Sequence, residues 1–173
     1  MRIPKILPQF DEPALLIVTG KQSGIIYLAA AGEIRELVEI NVPTPTYSDR
    51  EGFFVNSGRG QTFASGSVYE AKDDQAKLEF IKNLAAQTAG FLREYSVDMI
   101  HLFSPAYVKN DILKRFSRSV KDRMGIHFAG EYLHVQPLEL LRKVWARVSG
   151  GSKAIPKPEA QKILDRPNVK RRT

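Results

Sequence analysis

Three runs of strand-forming residues follow one another between Ala14 and Val42 with almost nothing between them, and that spacing constrains the fold more than any other feature. Ala14-Leu15-Leu16-Ile17-Val18-Thr19 is apolar up to its last residue and reads as a buried strand, with Gly20-Lys21-Gln22-Ser23-Gly24 as its turn. Ile25-Ile26-Tyr27-Leu28-Ala29-Ala30 is a second strand, Ala31-Gly32 a tight turn, and Glu33 to Val42 a third strand. A parallel pair needs a crossover of about a dozen residues or more, so strands joined this closely are restricted to an antiparallel meander. In the third run Ile34, Glu36, Val38 and Ile40 alternate with Arg35, Leu37 and Glu39, which assigns the first set to one face of the sheet. Pro43 and Pro45 cannot donate to a ladder and end it.

From Val68 to Tyr95 the pattern turns helical, and Leu78, Ile81, Leu84, Ala85, Thr88, Leu92 and Tyr95 predict its buried face. Ser67 is the expected N-cap, with Glu70, Asp73 and Asp74 placing acid near the positive end of the helix dipole. A fourth strand is expected over Val97–Phe103, Ser104-Pro105 opens a second helix over 106–123, and a fifth strand runs from Ile126 to Val135. The second helix buries Val108, Ile112, Phe116 and Val120 while Lys114, Arg118 and Lys121 line one flank. Pro137 opens a last amphipathic helix carrying Leu138, Leu141, Val144, Trp145 and Val148. Crossovers after the meander set strands four and five parallel to strand one. The expected fold is α/β: a ribonuclease H-like mixed five-stranded sheet, an antiparallel meander plus two parallel strands, covered by three helices.

A chain of 173 residues supports one domain, expected over 13–148 after a lead-in at 1–12. It has no cysteine, which excludes disulfides and thiolate metal sites. The N-terminal apolar stretch is interrupted by Pro8, Gln9, Asp11 and Glu12, and no later run reaches the ~20 residues of a membrane span. A cytoplasmic protein without membrane contact is the expectation. The net charge of +7 is unevenly distributed. Residues 109–123 hold Lys109, Lys114, Arg115, Arg118, Lys121 and Arg123 against Asp111 and Asp122. Residues 149–173, without periodicity and expected to be a flexible tail, hold seven Lys and Arg, among them Lys170, Arg171 and Arg172, against Glu159 and Asp165. Two basic patches on a near-neutral body favour a polyanionic partner over a merely solvated surface.

A nuclease on such a sheet needs carboxylates clustered on the central strands to hold divalent metal, and strand one offers none while Asp98 falls at the wrong end of strand four. No metal and no cofactor is expected. His101, His127 and His134 have no carboxylate or nucleophile arranged around them in sequence, and Ser65-Gly66-Ser67 lacks nucleophile-elbow spacing. What remains is the loop from Pro43 to Ser67, longer than compact domains ordinarily tolerate without function or disorder. Its Gly58-Arg59-Gly60-Gln61 lacks the further glycine of a dinucleotide fingerprint and the Lys-Ser/Thr of a P-loop. The tetrapeptide sets one amide, able to donate and accept, beside a guanidinium on a backbone that can approach a ligand closely. A mobile surface loop is the alternative reading of the same residues.

The order of elements around this loop resembles the middle domain of archaeal and eukaryotic class-one release factors and Pelota, and more closely the bacterial and archaeal release-factor-like families, some labelled host attachment proteins. The resemblance covers roughly 13–148 and rests on Ala14-Leu15-Leu16-Ile17-Val18, Ile25-Ile26-Tyr27-Leu28, Met99-Ile100-His101-Leu102-Phe103-Ser104-Pro105, Leu113-Lys114-Arg115-Phe116, Ile126, Tyr132-Leu133 and Leu138-Glu139-Leu140-Leu141. In those factors the loop after strand three carries Gly-Gly-Gln, whose glutamine helps place the water that hydrolyses the peptidyl-tRNA ester. The resemblance implies that Gly60 and Gln61 occupy that catalytic position, with Arg59 standing where the first glycine is found. It further implies ribosome, tRNA and rRNA as partners, Arg59, Lys114, Arg115, Arg118, Lys121, Lys170, Arg171 and Arg172 as RNA contacts, and ribosome rescue or quality control as the setting, since no codon-reading domain is evident. A non-catalytic RNA- or ribosome-binding module on the same fold is the alternative.

Overall fold

The computed structural model describes residues 1–43 and 66–149, with side chains of the first helix described from Asp73 onward. Five strands, β1 (Ala14–Thr19), β2 (Ser23–Ala30), β3 (Glu33–Asn41), β4 (Met99–Ser104) and β5 (Met124–Ala129), form one mixed sheet in the order β3-β2-β1-β4-β5. The β1–β2 and β2–β3 pairs are antiparallel, and the β1–β4 and β4–β5 pairs are parallel. Four helices accompany it: α1 (Gly66–Tyr95), α2 (Ala106–Arg115), α3 (Arg118–Lys121) and α4 (Pro137–Val148). The sheet is compatible with the ribonuclease H-like expectation. β1 has neighbours on both sides and is buried along its length, which is why its sequence is apolar without alternation.

The two faces of the sheet carry different helices. Leu15, Ile17, Ile26, Leu28, Ile100 and Leu102 pack with Phe80, Ile81 and Leu84 of α1, Val108 and Ile112 of α2 and Val120 of α3. Leu16, Val18, Tyr27, Ala29 and Phe103 pack with Leu140, Leu141 and Val144 of α4, and Ile3 and Leu7 of the lead-in are buried among them. Each fully buried aliphatic or aromatic side chain in these layers contributes about 1.5–3 kcal/mol.

Five expectations change. Ile34 and Ile40 lie on opposite faces, because β3 carries a bulge: Ile26 pairs with Val38 and Tyr27 with Glu36, leaving Leu37 as an extra residue. One inserted residue reverses the alternation, so Ile34 faces α4 and Ile40 faces α1. The helix expected over 106–123 is two helices, since Phe116 is extended (φ −65°, ψ 138°) between α2 and α3 while its side chain and Val120 both stay in the core. Helix α1 starts at Gly66, making Ser67 its second residue rather than its cap. Leu78 is 66% exposed, while Ile81, Leu84 and Thr88 are buried as expected and Ala76 and Phe80 join them. The fifth strand is also shorter and earlier than expected, Met124–Ala129.

Candidate functional site

The carboxyl ends of β1, β4 and β5 meet at one edge of the sheet, and β3 ends at that edge too, because Asn41 pairs with Ser23 at the start of β2. In sheets of this kind the groups beyond the carboxyl ends of parallel strands are the ones free to meet a ligand. The β1–β2 turn at this edge holds both sides of the loop singled out above. The Val42 N–H donates to the Gln22 carbonyl at 3.0 Å, just before the chain leaves at Pro43. The Gln22 side-chain amide donates to the Asp73 carboxylate, two turns into α1, and Lys21 forms an ion pair with that carboxylate. The hydrogen bonds from Lys21 and Gln22 hold the Asp73 carboxyl below its usual range, and the one to Asp73 raises the Lys21 ammonium. The strand that feeds the loop and the helix that receives it are therefore tied to the same turn.

Two polar groups lie deeper at the edge. Ser104, wholly buried at the end of β4, shares a 2.9 Å hydrogen bond with Nε2 of His127 on β5. Burial lowers the His127 pKa, Lys109 lowers it further, and a hydrogen bond to the Ser104 backbone opposes both. A neutral imidazole beside a hydroxyl has the parts of a base and a nucleophile, but Ser104 is inaccessible and no described carboxylate orients the ring. The pair ties β4 to β5. Thr19 at the end of β1 is buried and its hydroxyl has no hydrogen-bond partner among the described residues. No group of three or more His, Cys, Asp or Glu side chains placed to hold a metal occurs among the described residues.

The basic residues of 109–123 lie on α2, α3 and the turn after them. Lys114 and Arg115 close α2, where positive charge complements the helix dipole, and with Leu78, Lys82 and Asp111 they line a groove of about 700 Å³ between α1 and α2. Asp111 is bound to Lys77 at 2.6 Å, which holds its carboxyl below the usual range. Lys114, Arg115, Arg118 and Lys121 are all exposed. Arg118 lies 3.9 Å from Asp122, whereas Lys114, Arg115 and Lys121 form no ion pair with any described residue. The break at Phe116 and Ser117 means that Lys114 and Arg118 do not share one helical flank as expected.

No family model matches the chain, and no curated protein matches its sequence. Among solved structures it is similar to the archaeal translation termination factor aRF1, at 13% identity over 80% of this chain and 39% of that one, with a TM-score of 0.49. It is also similar to a chain described as an archaeal protein, at 11% identity over 90% of this chain and 46% of that one, with a TM-score of 0.44. The chain thus spans less than half the length of either structure.

Arg59, Gly60, Gln61, Lys170, Arg171 and Arg172 lie outside the described residues. No described helix is long and apolar enough to cross a membrane. The sequence reading missed the Gln22–Asp73–Lys21 tie and the Ser104–His127 pair, which join residues 51 and 23 positions apart. Ser104 and His127 carry one sequence signal, their place near the carboxyl ends of two strands that run parallel; Asp73, inside α1, carries none.

Proposed function

We propose that this protein is a release-factor-like, ribosome-associated factor on a ribonuclease H-like domain, acting on peptidyl-tRNA in ribosome rescue or quality control. The observation that carries the reading is the tie at the β1–β2 turn, which holds the strand before the Gly60-Gln61 loop and the helix after it at one sheet edge. Gln61 lies five positions before the start of α1, a contour of at most about 18 Å. The role asks little chemistry of the protein. Gln61 would position a water against the ester in a site otherwise made of RNA, which is a contribution of orientation and hydrogen bonding. Gly60 gives the backbone room to approach, and Arg59 supplies a guanidinium for a neighbouring phosphate. Lys114, Arg115, Arg118 and Lys121, together with Lys170, Arg171 and Arg172, supply further phosphate contacts.

Peptide release from stalled ribosome complexes tests this directly. The wild-type chain releases peptide, and Gln61→Ala lowers the rate by about 10²–10³, the usual consequence of losing one positioned polar group. Equal release by both, or none by either, refutes the catalytic role. Arg59 in place of a glycine favours a second reading, a non-catalytic RNA- or ribosome-binding module. That reading requires RNA binding that weakens steeply with salt and depends in part on residues 149–173; binding that is absent or flat with salt removes it.

A further inference from the structure

Tyr107 has no structural employment. It is 61% exposed in the first turn of α2, the one large aromatic exposed to this degree among the described residues. The other aromatic side chains are at least partly packed: Phe103 stacks on Phe128 and meets the edge of Tyr132, Phe91 leans on Tyr95, and Arg35 covers the Tyr95 ring. No described ring or cation is stacked on Tyr107. A lone exposed apolar residue is ordinary on any surface. What distinguishes this one is the company it keeps.

Tyr107, Asn110, Lys114 and Arg115 are all exposed and recur at helical spacing, so they form one stripe along the outer side of α2. Asp111 falls within that stripe but is neutralised by Lys77. At 1.5 Å of rise per residue, Lys114 lies about 10 Å along the axis from Tyr107. An open aromatic face followed by unpaired cations is the combination that binds single-stranded nucleic acid, the ring stacking on a base and the cations following the backbone.

We propose that the outer face of α2 is a track for single-stranded RNA, with Tyr107 stacking on one unpaired base and Lys114 and Arg115 holding phosphates of the adjoining nucleotides. A duplex does not fit, because its base faces are covered and the ring has nothing to stack on. The proposal rests on RNA being the ligand, as read above, and is independent of whether Gln61 supports hydrolysis.

The test uses the full 173-residue chain and two labelled strands of equal length, a single-stranded RNA and its abasic sugar–phosphate counterpart, with binding followed by anisotropy across salt. Tyr107→Ala should weaken binding to the base-bearing strand about tenfold and leave the abasic strand unaffected, while Tyr107→Phe binds both as wild type does. Lys114→Ala and Arg115→Ala should weaken both strands, each reducing the salt slope by about 0.7. The proposal is overturned if wild type does not bind the base-bearing strand, if Tyr107→Ala affects the two strands equally or not at all, or if neither cation changes the slope. Failure of the release assay with the Tyr107 result intact removes the catalytic reading and leaves this one standing.

Discussion

Acid should destabilise this fold through one buried side chain. His101 in β4 is enclosed, and its Nδ1 accepts the Ile126 N–H at 3.3 Å. That bond has a reason. The β4–β5 register shifts between Ile100 and Leu102, so β5 carries an extra residue there and the ring nitrogen takes the place of a ladder acceptor. Gly125 makes room, since a Cβ at that position would lie 3.2 Å from His101 Cε1. Burial lowers the His101 pKa from 6.5 to about 4. The unfolded chain therefore takes up this proton first, and between those values it binds more protons than the native state. Stability is fully present above pH 6.5 and is lost as the pH falls towards 4, by about 3 kcal/mol from this group alone. Urea unfolding of wild type and His101→Gln over that range measures it. The variant starts less stable at neutral pH but loses about 3 kcal/mol less on acidification. His127 shifts in the same direction and the Asp73 and Asp111 carboxyls titrate lower, but all are common to both proteins and cancel in the difference. Parallel pH profiles would show that His101 is not the group responsible.

Substitutions at three further positions test the packing that supports the sheet edge. A Cβ at Gly24 would lie 2.9 Å from the Val18 carbonyl oxygen and 3.0 Å from Phe80 Cζ, so Gly24→Ala should cost about 1–3 kcal/mol in chemical denaturation. Adding Phe80→Leu should relieve the part of that cost that comes from the ring and leave the part from the carbonyl, so an additive double mutant would refute the contact. Phe80→Ala should cost about 3–5 kcal/mol, while Leu78→Ala, at an exposed position, should stay within about 0.5 kcal/mol. Comparable losses at the two sites would mean that the buried stripe of α1 is wrongly placed.

The strands were legible because their connections are too short for any other pairing, and the parallel placement of β4 and β5 followed from the helical patterns between them. The bulge in β3 was not, since Ile34, Glu36, Val38 and Ile40 keep a perfect two-residue period in sequence while the inserted Leu37 reverses it in space. The break after α2 was hidden for a similar reason: Val108, Ile112, Phe116 and Val120 suit one continuous helix, yet two helices joined at an extended Phe116 bury all four as well. In α1 the expected face holds at Ile81, Leu84, Ala85, Thr88, Leu92 and Tyr95, and only its first member, Leu78, points outward, while Ala76 and Phe80 take the buried positions before Ile81. At the candidate site, the exposure of Lys114, Arg115, Arg118 and Lys121 could be read from composition and spacing, while the Gly60-Gln61 loop lies outside the described residues. The Gln22 tie could not, because nothing in the sequence brings a turn residue at 22 to a carboxylate at 73.

The cations on this side of the molecule divide into two groups by what they touch. Lys21 and Lys77 are bound to Asp73 and Asp111, and their charge is consumed locally in tying α1 to the β1–β2 turn and to α2. Lys114, Arg115 and Lys121 form no described ion pair, so their field extends outward and raises the local concentration of any polyanion. Salt acts on the two groups unequally: free surface cations lose their attraction for phosphate as counterions compete, while contact pairs that are also hydrogen-bonded depend on it less. On the proposed function, rising ionic strength therefore detaches the nucleic acid before it disturbs the geometry of the edge. That ordering is what a site needs if its loop is to be held ready before its ligand arrives, and it follows from which four of these side chains face each other and which three do not.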